Sequence, residues 1–181
     1  MDTSSASAFA RWPDVPACYD WLSLDRRGSW RLQGEPVTHG GLLRFLNMHY
    51  GHDDAGNWLV HNGPQRVFVT LDYTPWVLRL QPDGSLVTHT GAAAGTVDAA
   101  HLDDEGNVLL HAGVGIGVLD DRDLQAFLAA CVGADGASVE DEGWIALMAS
   151  EGEVFWQGLR IAFVERAEVA SRYGFRPRPT P

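Results

Sequence analysis

Residues 34–80 read GEPVTHGGLLRFLNMHYGHDDAGNWLVHNGPQRVFVTLDYTPWVLRL, and the reading of this stretch decides the fold. Thr38 is placed to accept from the first free N–H groups of a helix, and Leu42, Phe45, Leu46 and His49 follow at i, i+3, i+4 and i+7. That spacing predicts one buried helix face. Gly51 suits a left-handed cap, so the helix is expected to stop near Tyr50 and Gly51, and residues 52–57 carry the Asp, Gly and Asn chemistry of a turn. Residues 58–61, 66–72 and 76–81 are rich in Val, Phe, Trp and Leu, as strands are, and are separated by Asn62-Gly63-Pro64 and Tyr73-Thr74-Pro75. The module is therefore expected to be α+β, a helix packed on an antiparallel meander.

Upstream, residues 1–10 are small and polar and read as a disordered lead-in. Pro13 and Pro16 break any helix, and residues 17–24 place Tyr19, Trp21 and Leu22 on a short amphipathic turn. Asp25-Arg26-Arg27-Gly28 turns into a strand at 29–33. Downstream, Gln81-Pro82-Asp83-Gly84 makes a hairpin turn that returns residues 85–90 beside the last strand. Residues 91–95, GAAAG, read as a mobile loop, and extended pieces follow at 97–102, 108–111 and 113–119, with an acidic turn at 103–107.

The first module then recurs in pattern. Leu124, Phe127, Leu128 and Cys131 take the positions of Leu42, Phe45, Leu46 and His49, and Trp144 follows an acidic loop as Trp58 does. Strands at 144–149, 153–157 and 160–165 are expected to mirror the three after Trp58, which makes the chain an internal duplication. The division that follows is a lead-in at 1–10, an N-terminal module at 11–90, a connector with a strand at 91–112, a C-terminal module at 113–166 and an Arg/Pro tail at 167–181. Arg176-Pro177-Arg178-Pro179 favours an extended, frayed end.

The chain has 181 residues and a formal net charge of −11. It contains no lysine, and so acidic a chain is ill suited to nucleic acid or an anionic lipid surface. Cys18 and Cys131 have no C-x-x-C partner, and the N-terminus lacks the pattern of a secretory signal, so a cytoplasmic location is expected. No run approaches the roughly 20 apolar residues that cross a bilayer.

Arg27-Gly28-Ser29-Trp30, Gly34-Glu35-Pro36-Val37, Leu42 to Leu46, Ala55-Gly56-Asn57-Trp58-Leu59-Val60 and Leu71-Asp72-Tyr73-Thr74-Pro75-Trp76 form an ordered set of motifs. In these the chain resembles a family of uncharacterised bacterial proteins, one of the numbered domains of unknown function. Its members read Asp-Gly-x-Trp, Gly-x-Pro-Ile or Gly-x-Pro-Val, an apolar helix, Asp-Gly-x-Trp-Leu-Val and an acidic step before Pro-aromatic. The resemblance covers Asp25 to about Leu80. It implies an α+β fold of repeated motifs and a part in signal transduction. Where the family carries a second acid after Asp72, this chain has Tyr73.

Candidate chemistry is sparse. His39, Gly40 and Gly41 at a helix N-terminus suit a small anion or acidic group, because the free N–H groups and the dipole favour negative charge there. Tyr73, Trp76 and Trp156 are the aromatic candidates for a binding anchor on a sheet face. His49, His52 and Asp53 are the alternative metal ligands. Gly113-Val-Gly-Ile-Gly117 lacks the third glycine and the Lys-Ser or Lys-Thr of phosphate loops, and Asp120-Asp121 behind it repel phosphate. The reading is a non-enzymatic protein-binding or ligand-binding module with a regulatory role, needing no cofactor, with a protein or small molecule as partner and a homodimer compatible with it. The rival is a metal-dependent hydrolase using His39, His49, His52, Asp53 and Asp72.

Overall fold

The computed structural model describes residues 13–181, so the expected lead-in at 1–10 lies outside the described residues. The fold is mixed α+β, mostly strands in two curled sheets with four short helices among the described residues. The chain divides into two compact units, one formed by the residues up to Tyr73 together with Gly174–Pro181, the other by Thr74–Tyr173.

In the first unit the elements run β1 (Ala17–Leu24), β2 (Trp30–Leu32), β3 (Glu35–Pro36), α1 (Gly40–His49), β4 (Tyr50–His52), β5 (Trp58–Asn62) and β6 (Gln65–Leu71). The sheet order is β3-β2-β1-β6-β5-β4, antiparallel except that β1 lies parallel to β6. Two three-stranded meanders are thus joined through their first and last strands. Cys18, Leu22 and Leu24 on β1 and Val67, Val69 and Leu71 on β6 are buried.

In the second unit β7 (Trp76–Leu80), β8 (Leu86–Thr88), β9 (Val97–Asp103), β10 (Val108–Ala112) and β11 (Gly115–Leu119) lead through a 3-10 turn at Asp121–Asp123 into α2 (Leu124–Ala129). Then come β12 (Cys131–Gly133), α3 (Asp141–Met148), β13 (Val154–Trp156), β14 (Leu159–Val164) and α4 (Arg166–Arg172). The sheet order is β12-β13-β14-β9-β10-β11-β7-β8, with β14 parallel to β9 and β11 parallel to β7. Ala100, Leu102, Leu110 and Ala112 face a core that also holds Phe127, Leu147 and Trp156. The glycines of β11 make room within the sheet: a Cβ at Gly117 would meet Leu78 Cγ at 2.6 Å and Trp76 Cβ at 3.1 Å. The run at 113–117 is therefore the turn of a hairpin and the first residues of its second strand.

One turn recurs six times among the described residues, at 25–29, 53–57, 81–85, 88–92, 103–107 and 133–137. In each, the first residue donates its N–H to the carbonyl of the fifth and accepts from the N–H of a glycine at the fourth. Those glycines have φ between 78° and 87°, a left-handed conformation that a side chain resists. In three of them an aspartate at the first position also accepts backbone N–H groups across the turn.

Several expectations need correction. His39, not Thr38, caps α1, its Nδ1 accepting from Leu42 N at 3.2 Å. The helix does not end in a glycine cap: Tyr50 is extended and enters β4 directly, its ring held between Trp30 at 5.1 Å and Trp58 at 4.9 Å. His49 is exposed rather than on the buried face. The inward stripe is Leu42 and Leu46, rotated toward Asn47, whose Oδ1 accepts from the Trp30 indole at 2.7 Å.

The segment 17–24 is a strand and not a helical turn. A bulge with Asp20 at φ 54° shifts the register against β6 between Cys18 and Leu22, and this lends the apolar positions a helix-like spacing. Residues 91–95 are tied down, with Ala93 bridging Val87 and Ala94 fully buried. Of the expected strand 144–149, residues 144–148 fall in α3 and Ala149 caps it: Trp144 and Leu147, three apart, turn inward, and Asp141 and Glu142 sit in the first turn, where the helix dipole favours them. The residue match between copies does not carry the same burial, since α1 buries Leu42 and Leu46 whereas the second stretch buries Phe127 and Cys131. The tail is not frayed: α4 occupies 166–172, Phe175 is buried, Arg176 donates its N–H to Gly56 O at 2.9 Å and Leu71 N donates to Pro177 O at 2.8 Å.

Candidate functional site

The residues singled out from sequence are mostly engaged in holding the fold. The space that Gly41 leaves is filled by the His39 imidazole itself, since a Cβ at Gly41 would meet His39 Cε1 at 2.9 Å. Gly40 begins the helix beside it. Tyr73 is buried, and Trp156 is 1% exposed and stacked on Phe127 at 5.0 Å. Of the adjacent pair Phe155 and Trp156, the tryptophan is the one that faces the core. Trp76 is half-buried, its indole donating to Val114 O at 2.8 Å.

The metal and hydrolase candidates are also accounted for. Asp53 shapes its turn, accepting from Ala55 N, Asn57 N and Asn57 Nδ2 at 2.9–3.0 Å. Burial pushes its carboxyl up, but the bonds from Asn57 and Ala55 and the charge of Arg66 outweigh that and hold it below the usual range. His52 is exposed, its Nδ1 3.2 Å from Asp53 O. His49 packs its ring against Phe45 at 4.5 Å, and Asp72 is exposed, its N–H bonded to Leu24 O. Among the described residues, no three His, Cys, Asp or Glu side chains are grouped so as to hold a metal ion.

The second unit assembles a polar constellation that no sequence pattern announces. His101 on β9 and His111 on β10 are diagonal neighbours, because His101 stands opposite Leu109 in the ladder. Tyr173, just past the end of α4, meets both: its hydroxyl lies 2.5 Å from His101 Nε2 and its ring stacks on His111 at 5.2 Å. His111 Nδ1 in turn lies 2.6 Å from Asp98 Oδ1. Burial lowers the His101 pKa, and the charges of Arg172 and His111 lower it further against a backbone interaction with Ala162. Burial raises that of Tyr173, opposed by Arg172 and aided by Asp98. The His101–Tyr173 hydrogen bond and the stack of Tyr173 on the His111–Asp98 pair together pin the end of α4 to β9 and β10. Tyr173 lies 72 residues from His101, which is why the sequence hid the pairing.

The other feature is α3. Trp144 and Leu147 pack inward, while Ile145 is 67% and Met148 42% exposed. Asp141, Ile145 and Met148 fall at i, i+4 and i+7, so they form one outer row. Past the helix, Ser150 takes φ 60° and Glu151 N donates back to Ala146 O at 2.9 Å, which sets Glu151 beside the last turn. The sequence reading had turned this stretch into a strand and so lost the row.

Among the described residues no helix is long and apolar enough to cross a membrane. No curated protein matches the chain. Among solved structures it is similar to a DUF1285 family protein from Silicibacter pomeroyi DSS-3, at 16% identity and TM-score 0.54, over 90% of this chain and 94% of that one. It is also similar to a DUF1285 family protein from Shewanella baltica OS155, at 18% identity and TM-score 0.46, over 60% of this chain and 90% of that one. At such identity the first likeness speaks for the fold alone. A family model described as "Protein of unknown function (DUF2946)" matches residues 1–180, and the chain therefore belongs to that family, DUF2944.

Proposed function

We propose that this chain is a non-enzymatic binding module with a regulatory role, which holds a protein partner on the outer row of α3. The observation that carries the reading is the uncovered pair Ile145 and Met148: of the five large hydrophobic residues exposed among those described, two stand in this one row. Single exposed apolar residues are ordinary, whereas adjacent ones left bare on a helix mark a contact surface. The sheet edges support docking through the helix rather than by strand addition. β3 is two residues long and includes Pro36, β4 has three residues, and the outer strands β8 and β12 are bridged by Ala93 and Ser138. Two meanders joined through a helix, the first strand parallel to the last, recur as β1 to β6 and β9 to β14, which supports a duplicated architecture. The reading keeps the cytoplasm as its compartment, since Cys18 and Cys131 are free, buried thiols.

A photoreactive amino acid at position 145, in cells that naturally make the chain, is expected to give discrete protein adducts that Met148→Asp abolishes. Adducts that survive Met148→Asp, or none at all, would refute the proposal. A second reading, acid–base chemistry, draws on the chain from Asp98 through His111 and Tyr173 to His101. It requires a turnover that His111→Ala abolishes.

A further inference from the structure

We infer that α3 receives a positively charged amphipathic segment of another protein, an apolar pair flanked on both sides by Arg or Lys. This rests on the reading of the chain as a protein-binding module and names the class of partner. From Asp135 to Glu153 the sequence has six acidic residues and no basic one. Asp135 is used in a turn, bonding Ala137 N, and Glu153 pairs with Arg160 at 3.4 Å. The other four, Glu140, Asp141, Glu142 and Glu151, are exposed and stand around the row of Ile145 and Met148: three at its N-terminal end and Glu151 beside its last turn.

The helix dipole accounts for acids in the first turn of α3 but not for Glu151, which lies beyond the C-terminal end, where the dipole disfavours negative charge. An apolar centre with carboxylates at both ends is complementary to an apolar pair with cations at both ends, because such charges steer the encounter and reject like-charged competitors. A second copy of this chain is a poor occupant, since it would set these four carboxylates against the same four. Nucleic acid and anionic lipid are repelled for the same reason.

The test uses the full chain and three fluorescent helical peptides that share one apolar pair and are flanked by Arg, by Gln or by Glu. Anisotropy at low salt is expected to give binding of the Arg peptide about tenfold tighter than the Gln peptide, with the Glu peptide weakest and the Arg advantage shrinking as salt is added. The double variant Glu142→Gln/Glu151→Gln should bring the Arg peptide toward the Gln peptide, and Ile145→Asp/Met148→Asp should remove both. Equal binding of Arg and Gln peptides, lost in Ile145→Asp/Met148→Asp, would overturn the charge inference and leave the docking surface standing. No binding by any peptide, or binding unaffected by Ile145→Asp/Met148→Asp, would overturn the inference together with the reading beneath it.

Discussion

His89 illustrates how one side chain ties stability to pH. Its Nδ1 accepts from Val77 N at 3.3 Å, a bond that needs the neutral ring, and burial lowers its pKa from 6.5 to about 4. Between those values the unfolded chain binds a proton that the folded chain refuses. The stabilisation is therefore complete above pH 6.5, is lost as pH falls toward 4, and amounts to about 3 kcal/mol for a shift of this size. His89→Asn keeps an acceptor near Nδ1 without a titration, so urea midpoints of this variant should decline less between pH 6.5 and 4.5 than those of the parent chain. Parallel declines would mean that His89 is not the group responsible. Gly56 and Gly106 occupy the same place in the same turn, at φ 81° and 80°, but a Cβ at Gly56 would strike the carbonyl of Gly174, whereas nothing stands near Gly106. Gly106→Ala should cost about 1 kcal/mol for the backbone conformation alone, and Gly56→Ala about twice that or more, because the tail must also move. Equal losses on thermal unfolding would show that the tail contact adds nothing.

At the scale of elements, what was legible was what is local. The turns at 53–57 and 103–107 are written in Asp, Gly and Asn, and that at 81–85 in Pro, Asp and Gly, each within five residues, and the strands around them emerged with them. The parallel pairs β1 with β6 and β9 with β14 were not legible, because each joins segments separated by a helix and a meander. The run Trp-Ile-Ala-Leu-Met at 144–148 fits a strand or a helix equally well by hydropathy, and only packing of Trp144 and Leu147 on the core decides between them. Tail and α4 were misjudged for a related reason: their partners Gly56, Leu71, His101 and His111 are remote in sequence. The bond from Tyr173 to His101 predicts that Tyr173→Phe lowers stability by about 1 kcal/mol and speeds amide exchange in α4 more than in α2. Unchanged exchange in α4 would mean that the helix is held by Val169 packing and not by this bond.

For the whole molecule, the candidate site was less readable than the fold. The residues chosen from sequence, among them His39, Gly41, Asp53, Tyr73 and Trp156, carry unusual chemistry because the fold itself spends them on caps, turns and core. The exposed row of α3 lay in a segment assigned the wrong element, so Ile145 and Met148 were read as half of a strand. A net charge of −11 disfavours anionic partners, and the docking surface proposed on α3 combines the bare row with four exposed carboxylates. The most direct measurement is a two-dimensional NMR titration of the full chain with the Arg-flanked peptide. The account predicts shifts concentrated at Trp144 to Met148 and Glu151; shifts centred on Asp98, His101, His111 and Tyr173, or none on α3, would contradict it.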